Sequence, residues 1–179
     1  MSDNIKHECG IAMVRLLKPL SFYKEKYGTT FYGINKMYLM LEKQHNRGQD
    51  GAGLATIKLD MQPGERYISR VRSNQPQPIQ DIFTQVNQRI SELLKENPDL
   101  KEDVQAQKKL LPYVGEVYLG HVRYGTFGQN SIENVHPFLR TKQLAITQPN
   151  CGRKLQYDQM LKELFERLVA LGQHPKRKH

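Results

Sequence analysis

Cysteine is scarce: the 179-residue chain has two, Cys9 and Cys151. Two thiols exclude a disulfide framework of the kind that holds small secreted domains together. Long hydrophobic runs are also missing, and no window approaches the roughly 18 apolar residues of a membrane-spanning helix. The opening segment, Met1 to Glu8, lacks the apolar stretch of a secretory signal. A cytoplasmic protein with no membrane partner is the expectation. Zinc-ligand spacing is absent, as is any internal repeat, and nothing calls for a metal or an organic cofactor. Basic residues are not scarce, since the net charge is +9. They are spread along the chain, however, apart from Lys176, Arg177 and Lys178 at the end. No aromatic-interleaved basic stripe appears, so nucleic acid is not the expected partner. With 38% hydrophobic and 25% charged residues, the chain is composed like one globular domain with a real core.

Periodicity supplies the elements. Gly10 to Leu17 is short and apolar and reads as a buried strand; residues 19–30, with Pro19, Gly28 and two threonines, read as a loop. Phe31, Ile34, Met37, Tyr38 and Leu41 recur at helical spacing, which predicts a helix to about Gln44 that ends at Arg47-Gly48. Gly51 to Leu59 and Arg66 to Arg72 flank the turn Gln62-Pro63-Gly64-Glu65 and predict a hairpin. Ile79, Ile82, Phe83, Val86, Ile90, Leu93 and Leu94 form an amphipathic helical stripe. Glu96 to Lys109 is polar and reads as a second helix or a solvated insertion. Gly115 to Tyr124 reads as a strand, Leu144 to Thr147 as another, and 156–171 as a helix stopped by Gly172.

Three segments stand apart from this background. They are His7-Glu8-Cys9-Gly10-Ile11-Ala12, then Gln44 to Gly53, then Gly120-His121-Val122-Arg123-Tyr124-Gly125-Thr126-Phe127-Gly128 followed by Asn134-Val135-His136-Pro137-Phe138. Taken singly, each has a bland reading. Gly-rich stretches with Asp and Asn make turns, a lone Cys packs as a small hydrophobe, and Arg47 with Asp50 makes a surface pair worth little. Taken in order, the set resembles the N-terminal-nucleophile (class II) glutamine amidotransferases. Within that family it is most similar to the N-terminal domain of the amidophosphoribosyltransferases of purine synthesis. The resemblance runs from Cys9 to about Phe138.

The resemblance implies an α+β fold, a four-layer αββα sandwich of the N-terminal-nucleophile hydrolase type, incomplete at the C-terminus. It divides the chain into a propeptide, 1–8, a partial amidotransferase domain, 9–172, and a basic tail, 173–179. It implies a glutaminase half-reaction on L-glutamine with Cys9 as nucleophile. The base is then the nucleophile's own α-amine, which requires cleavage of the Glu8–Cys9 bond. Arg123 holds the substrate carboxylate through paired charge-assisted hydrogen bonds. Gly125 and Thr126 line the same pocket, and Arg47 orders the loop around Cys9. His121 is expected as a packed strand residue, and His136-Pro137 as a structural turn. The oxyanion donors of the family are an Asn-Gly pair. Here Asn150 and Gly152 stand at the matching place, separated by Cys151, and either a shifted loop uses both or the oxyanion hole is damaged. The ammonia acceptor implied is a phosphoribosyltransferase domain or subunit that this chain does not contain. Two other readings stay open: a catalytically inactive interaction or regulatory module, and a small basic nucleic-acid-binding protein. Homo-oligomerisation is left open too.

Overall fold

A computed structural model describes residues 8–125, 129–140 and 143–145, all within the compact unit Met1–Ile146. The helix expected over 156–171 lies outside the described residues, as do Thr126 and the segment from Thr147 to Gly152.

Four strands build the main sheet: β1 (Gly10–Arg15), β2 (Gly51–Ile57), β3 (Ile68–Ser73) and β4 (Val117–Arg123), ordered β1-β4-β2-β3 and antiparallel throughout. The predicted hairpin is the pair β2–β3, with Leu54 opposite Val71. Register puts Ala12, Gly120, Leu54 and Val71 in one row across all four strands, and hence on one face. Two helices cover that face, α2 (Tyr32–Glu42) and α3 (Pro78–Glu96). Met37 and Leu41 of α2 seat directly over Gly120. A Cβ there would lie 2.6 Å from the Met37 sulfur and 2.9 Å from Leu41. The amphipathic stripe of α3 is buried as its spacing demands, through Ile79, Ile82, Phe83, Val86 and Ile90. Tyr38 and Phe83 join the two helices edge to face, ring centroids 4.9 Å apart.

The segment 19–30 is not a loop but contains α1 (Leu20–Tyr27). Pro19 and Gly28, read as turn residues, are the start and stop of this helix. Pro19 stands just before it, and Gly28 adopts φ 72° in its left-handed C-cap. Leu20 and Tyr23 are buried, and Tyr27 stacks on Tyr32 at 4.4 Å, so α1 docks on the entry of α2. Between the two open readings of 96–109, the helix is the observed one: a 3₁₀ turn at Pro98–Lys101 and then α4 (Val104–Leu110). Asp103 caps it by accepting from the amides of Gln105 (2.8 Å) and Ala106 (2.9 Å). Buried Gln107 ties it down by donating to the carbonyls of Leu100 (2.6 Å) and Lys101 (2.9 Å).

A short ribbon, β5 (Phe138–Arg140) paired with β6 (Gln143–Ala145), completes the described elements. β6 lies where Leu144 to Thr147 was expected to be a strand; β5 was not expected. The fold is thus α+β: helices over one face of an antiparallel sheet, and the 135–138 segment against the other. On that second face Gly51 and Gly53 leave the backbone bare. A Cβ on Gly53 would collide with the carbonyl oxygen of His136, and one on Gly51 would lie 2.7 Å from Val135.

Leu54 is fully buried at the centre of the sheet. Leu54→Ala is expected to cost about 3 kcal/mol, read as a lower urea midpoint with an unchanged slope of the unfolding transition.

Candidate active site

Strand pairing brings the first and third sequence segments together. Gly10 pairs with Val122 and Ile11 with His121, so Cys9, one residue before β1, lies beside the last residues of β4. Its sulfur meets the Tyr124 backbone. The Tyr124 N–H donates to Sγ at 3.4 Å, and the thiol faces the Tyr124 carbonyl at 3.8 Å. Cys9 is half-buried and its thiol is not in a disulfide; Glu8, before it, is exposed. An N–H aimed at sulfur stabilises negative charge that develops there.

Arg123 ends β4 and is 5% exposed. Its guanidinium donates to Asn130 Oδ1 at 3.3 Å and to the Gln129 carbonyl at 3.4 Å. Both acceptors are neutral and the contacts are long, and they orient the group. The sequence reading missed Asn130, because nothing in its immediate neighbours distinguishes it from a loop residue.

The second segment wraps the same corner. After α2, Gln44 reaches back to the Ile11 carbonyl (3.4 Å), and its side chain fills the space over Gly10, where a Cβ would clash with it. The chain then turns through the 3₁₀ helix His45–Arg47. Gly48 lies flat on β4, where a Cβ would sit 2.6 Å from the Arg123 carbonyl carbon. The Asp50 amide donates to the Arg123 carbonyl at 3.0 Å, and the Asp50 carboxylate accepts from the Gly125 amide at 2.6 Å. The backbone N–H of Gly125, one of the residues expected in the substrate pocket, is therefore taken by Asp50. Arg47 lies on the 3₁₀ turn with an exposed side chain and makes no ion pair among the described residues. Thr126, Asn150 and Gly152 fall outside the described residues, as does Cys151. No group of three or more His, Cys, Asp and Glu side chains with metal-ligand geometry occurs among the described residues.

Beneath Arg123 two histidines share the second face of the sheet. His121 and His136 are each 1% exposed, with ring centroids 4.9 Å apart, and none of their four ring nitrogens has a hydrogen-bond partner among the described residues. His136 also packs on Phe138 at 4.3 Å. Burial pushes His121 down to about 3, with His136 and Arg123 adding to the effect. Burial likewise lowers His136 to about 4, assisted by Arg72 and Arg123. Both imidazoles are neutral packing groups at physiological pH.

Over 130 residues, 72% of its length, the chain is 28% identical to amidophosphoribosyltransferase 3, chloroplastic, of Arabidopsis thaliana. It is 30% identical to amidophosphoribosyltransferase 1, chloroplastic, of the same plant over 102 residues, 57% of the chain. It is 33% identical to the amidophosphoribosyltransferase of Pseudomonas aeruginosa over 73 residues, 41% of the chain. The chain is similar to amidophosphoribosyltransferases. The similarity is distant and partial, for the matches span 19%, 13% and 15% of those three proteins. No family model matches the chain. No solved structure matches it either.

The histidine pair sets a pH dependence. In the unfolded chain both rings protonate near the ordinary value of 6.5, whereas in the fold they stay neutral to about 4 and about 3. Stability is therefore complete above pH 6.5 and is lost as pH falls below it, at up to about 1.4 kcal/mol per pH unit for each ring. Urea midpoints measured from about pH 7 down to about pH 4.5 should fall, and a His136→Asn variant should show a shallower slope.

Proposed function

We propose that this chain carries the glutaminase half of an amidophosphoribosyltransferase-like amidotransferase, releasing ammonia from L-glutamine. The observation that carries this reading is the seat of Cys9. A thiol 115 positions away in sequence lies against the Tyr124 backbone, next to the one buried arginine of the same motif. Removal of residues 1–8 frees the Cys9 α-amine, whose unperturbed value is about 8. Deprotonated, that amine takes the thiol proton while sulfur attacks the side-chain amide carbon of glutamine. The tetrahedral intermediate collapses, the amine returns the proton to the departing nitrogen, and ammonia leaves a γ-glutamyl thioester. Water, deprotonated by the same amine, attacks the thioester and releases glutamate and the free thiol.

Arg123 receives the α-carboxylate of the substrate, displacing its contacts to Asn130 and Gln129. Thr126 lines the same pocket, and Arg47 stands at its rim. Asn150 and Gly152 are the oxyanion donors in this reading, worth roughly 3 kcal/mol for each such donor. The second face of the four-stranded sheet is where the second sheet of an αββα sandwich belongs. A phosphoribosyltransferase domain or subunit consumes the ammonia, in the cytoplasm.

Purified protein is expected to lose about 1 kDa, eight residues, on maturation, read as intact mass. 6-Diazo-5-oxo-norleucine should then label Cys9 and no other residue in a peptide map. A chain that keeps residues 1–8 and still hydrolyses glutamine would defeat the α-amine mechanism, and a chain that keeps them and stays inert would support an inactive interaction module.

Arg123→Lys separates binding from chemistry. It keeps the charge but loses the paired hydrogen bonds, so KM for glutamine should rise about 10- to 100-fold, with kcat much less affected.

A further inference from the structure

Asp50 joins the second and third sequence segments at two points, and neither composition nor spacing assigns it a task. Its amide donates to the carbonyl of Arg123, and its carboxylate accepts from the amide of Gly125. The two bonds bracket Tyr124, the residue whose N–H and carbonyl face the Cys9 sulfur. One residue thus fixes the backbone on both sides of the sulfur's seat, through its own N–H on the Arg123 side and its carboxylate on the Gly125 side. β4 ends at Arg123, and the Asp50 carboxylate reaches the turn that follows at Gly125. Gly48 closes the other side by lying on the Val122–Arg123 backbone, where no Cβ fits. Gly125 faces the carboxylate directly, since a Cβ there would come 3.2 Å from Asp50 Oδ2. The carboxylate–amide bond, at 2.6 Å, lies at the short end of the N–H···O range.

The geometry points to Asp50 as a positioning residue: its carboxylate holds the 123–125 turn in the shape that seats the Cys9 sulfur and aims the Arg123 guanidinium. The role rests on the amidotransferase reading for its consequence but not for its existence, because the clamp is a contact between two segments of the fold. It requires an acceptor at this place and not a charge. Asp50→Asn keeps an oxygen for the Gly125 amide, whereas Asp50→Ala and Asp50→Ser do not reach it.

The full chain and its three variants are compared in two measurements. The first is hydrogen exchange of the peptide spanning residues 117–125. Asp50→Ala should accelerate exchange of the Gly125 amide by about tenfold or more, while Asp50→Asn stays within about threefold of the parent. The second is labelling of Cys9, by 6-diazo-5-oxo-norleucine and separately by iodoacetamide, which carries no carboxylate for Arg123. Asp50→Ala should slow the first reagent about tenfold and the second no more than about threefold, and Asp50→Asn should restore both. Unchanged exchange in Asp50→Ala overturns the clamp. So does an Asp50→Asn variant that behaves like Asp50→Ala, since charge would then matter rather than the acceptor. Loss of fold in both Asp50→Ala and Asp50→Ser also overturns a local role. If the parent protein itself is not labelled by the glutamine analogue, the amidotransferase reading fails, and the exchange measurement still decides the clamp.

Discussion

The pairing of β1 with β4 is the constraint on which the site depends. Nothing local holds Cys9 near Arg123, since the two are separated by more than half the chain. They meet because Gly10 lies opposite Val122 and Ile11 opposite His121 in one antiparallel ladder. Closing so long a loop costs entropy that grows slowly with length. The apolar face of the sheet under α2 and α3 offsets that cost, with Met37, Leu41, Leu54, Ile82 and Val86 all fully buried. The chemistry at one end of the ladder therefore depends on packing along its whole length. A register slip of one residue would turn His121 and Arg123 to the helix face and part the sulfur from the Tyr124 backbone.

The glycines of the sequence segments act as contact surfaces rather than as flexible joints. Gly48 lies on the end of β4, Gly51 under Val135, Gly53 under the His136 carbonyl, and Gly120 under Met37 and Leu41. At each place a Cβ would meet backbone or a packed side chain. The segment Gly51-Ala52-Gly53 is thus the floor on which Val135-His136-Pro137 rests, which explains physically why these two stretches occur in one chain. The His121–His136 pair lies on that same floor. Its nitrogens make no hydrogen bond among the described residues, and the neutrality that burial imposes on the rings costs stability in acid.

Much of this was legible in the sequence because it followed from period and punctuation. The stripes from Phe31 to Leu41 and from Ile79 to Leu94 became α2 and α3, and the apolar runs at 10–17, 51–59, 66–72 and 115–124 became the four strands, each trimmed by a few residues. α1 is masked in the sequence because Pro19 and Gly28 suit a turn as well as the two ends of a helix, although Leu20, Tyr23 and Tyr27 have helical spacing. β5 has three residues, too few to show a period. In the candidate site, Cys9 and Arg123 stand out in the sequence because a thiol and a guanidinium each suit a particular chemistry. Asp50, Gln44 and Asn130 do not, because each acts through a partner brought near by the fold: Gly125, Ile11 and Arg123 respectively. Their residue types suit a turn equally well.

One consequence follows from the order of the sheet. Among the described residues β3 pairs on one side only, with β2, and an open edge invites another chain to add to it. Along this edge Arg70 and Arg72 alternate with buried Val71 and Ser73, and Arg66 stands just before it. A second copy docking edge to edge would bring guanidiniums against guanidiniums, and like charges at adjacent ladder positions repel. Addition of one β3 edge to another is disfavoured for that reason.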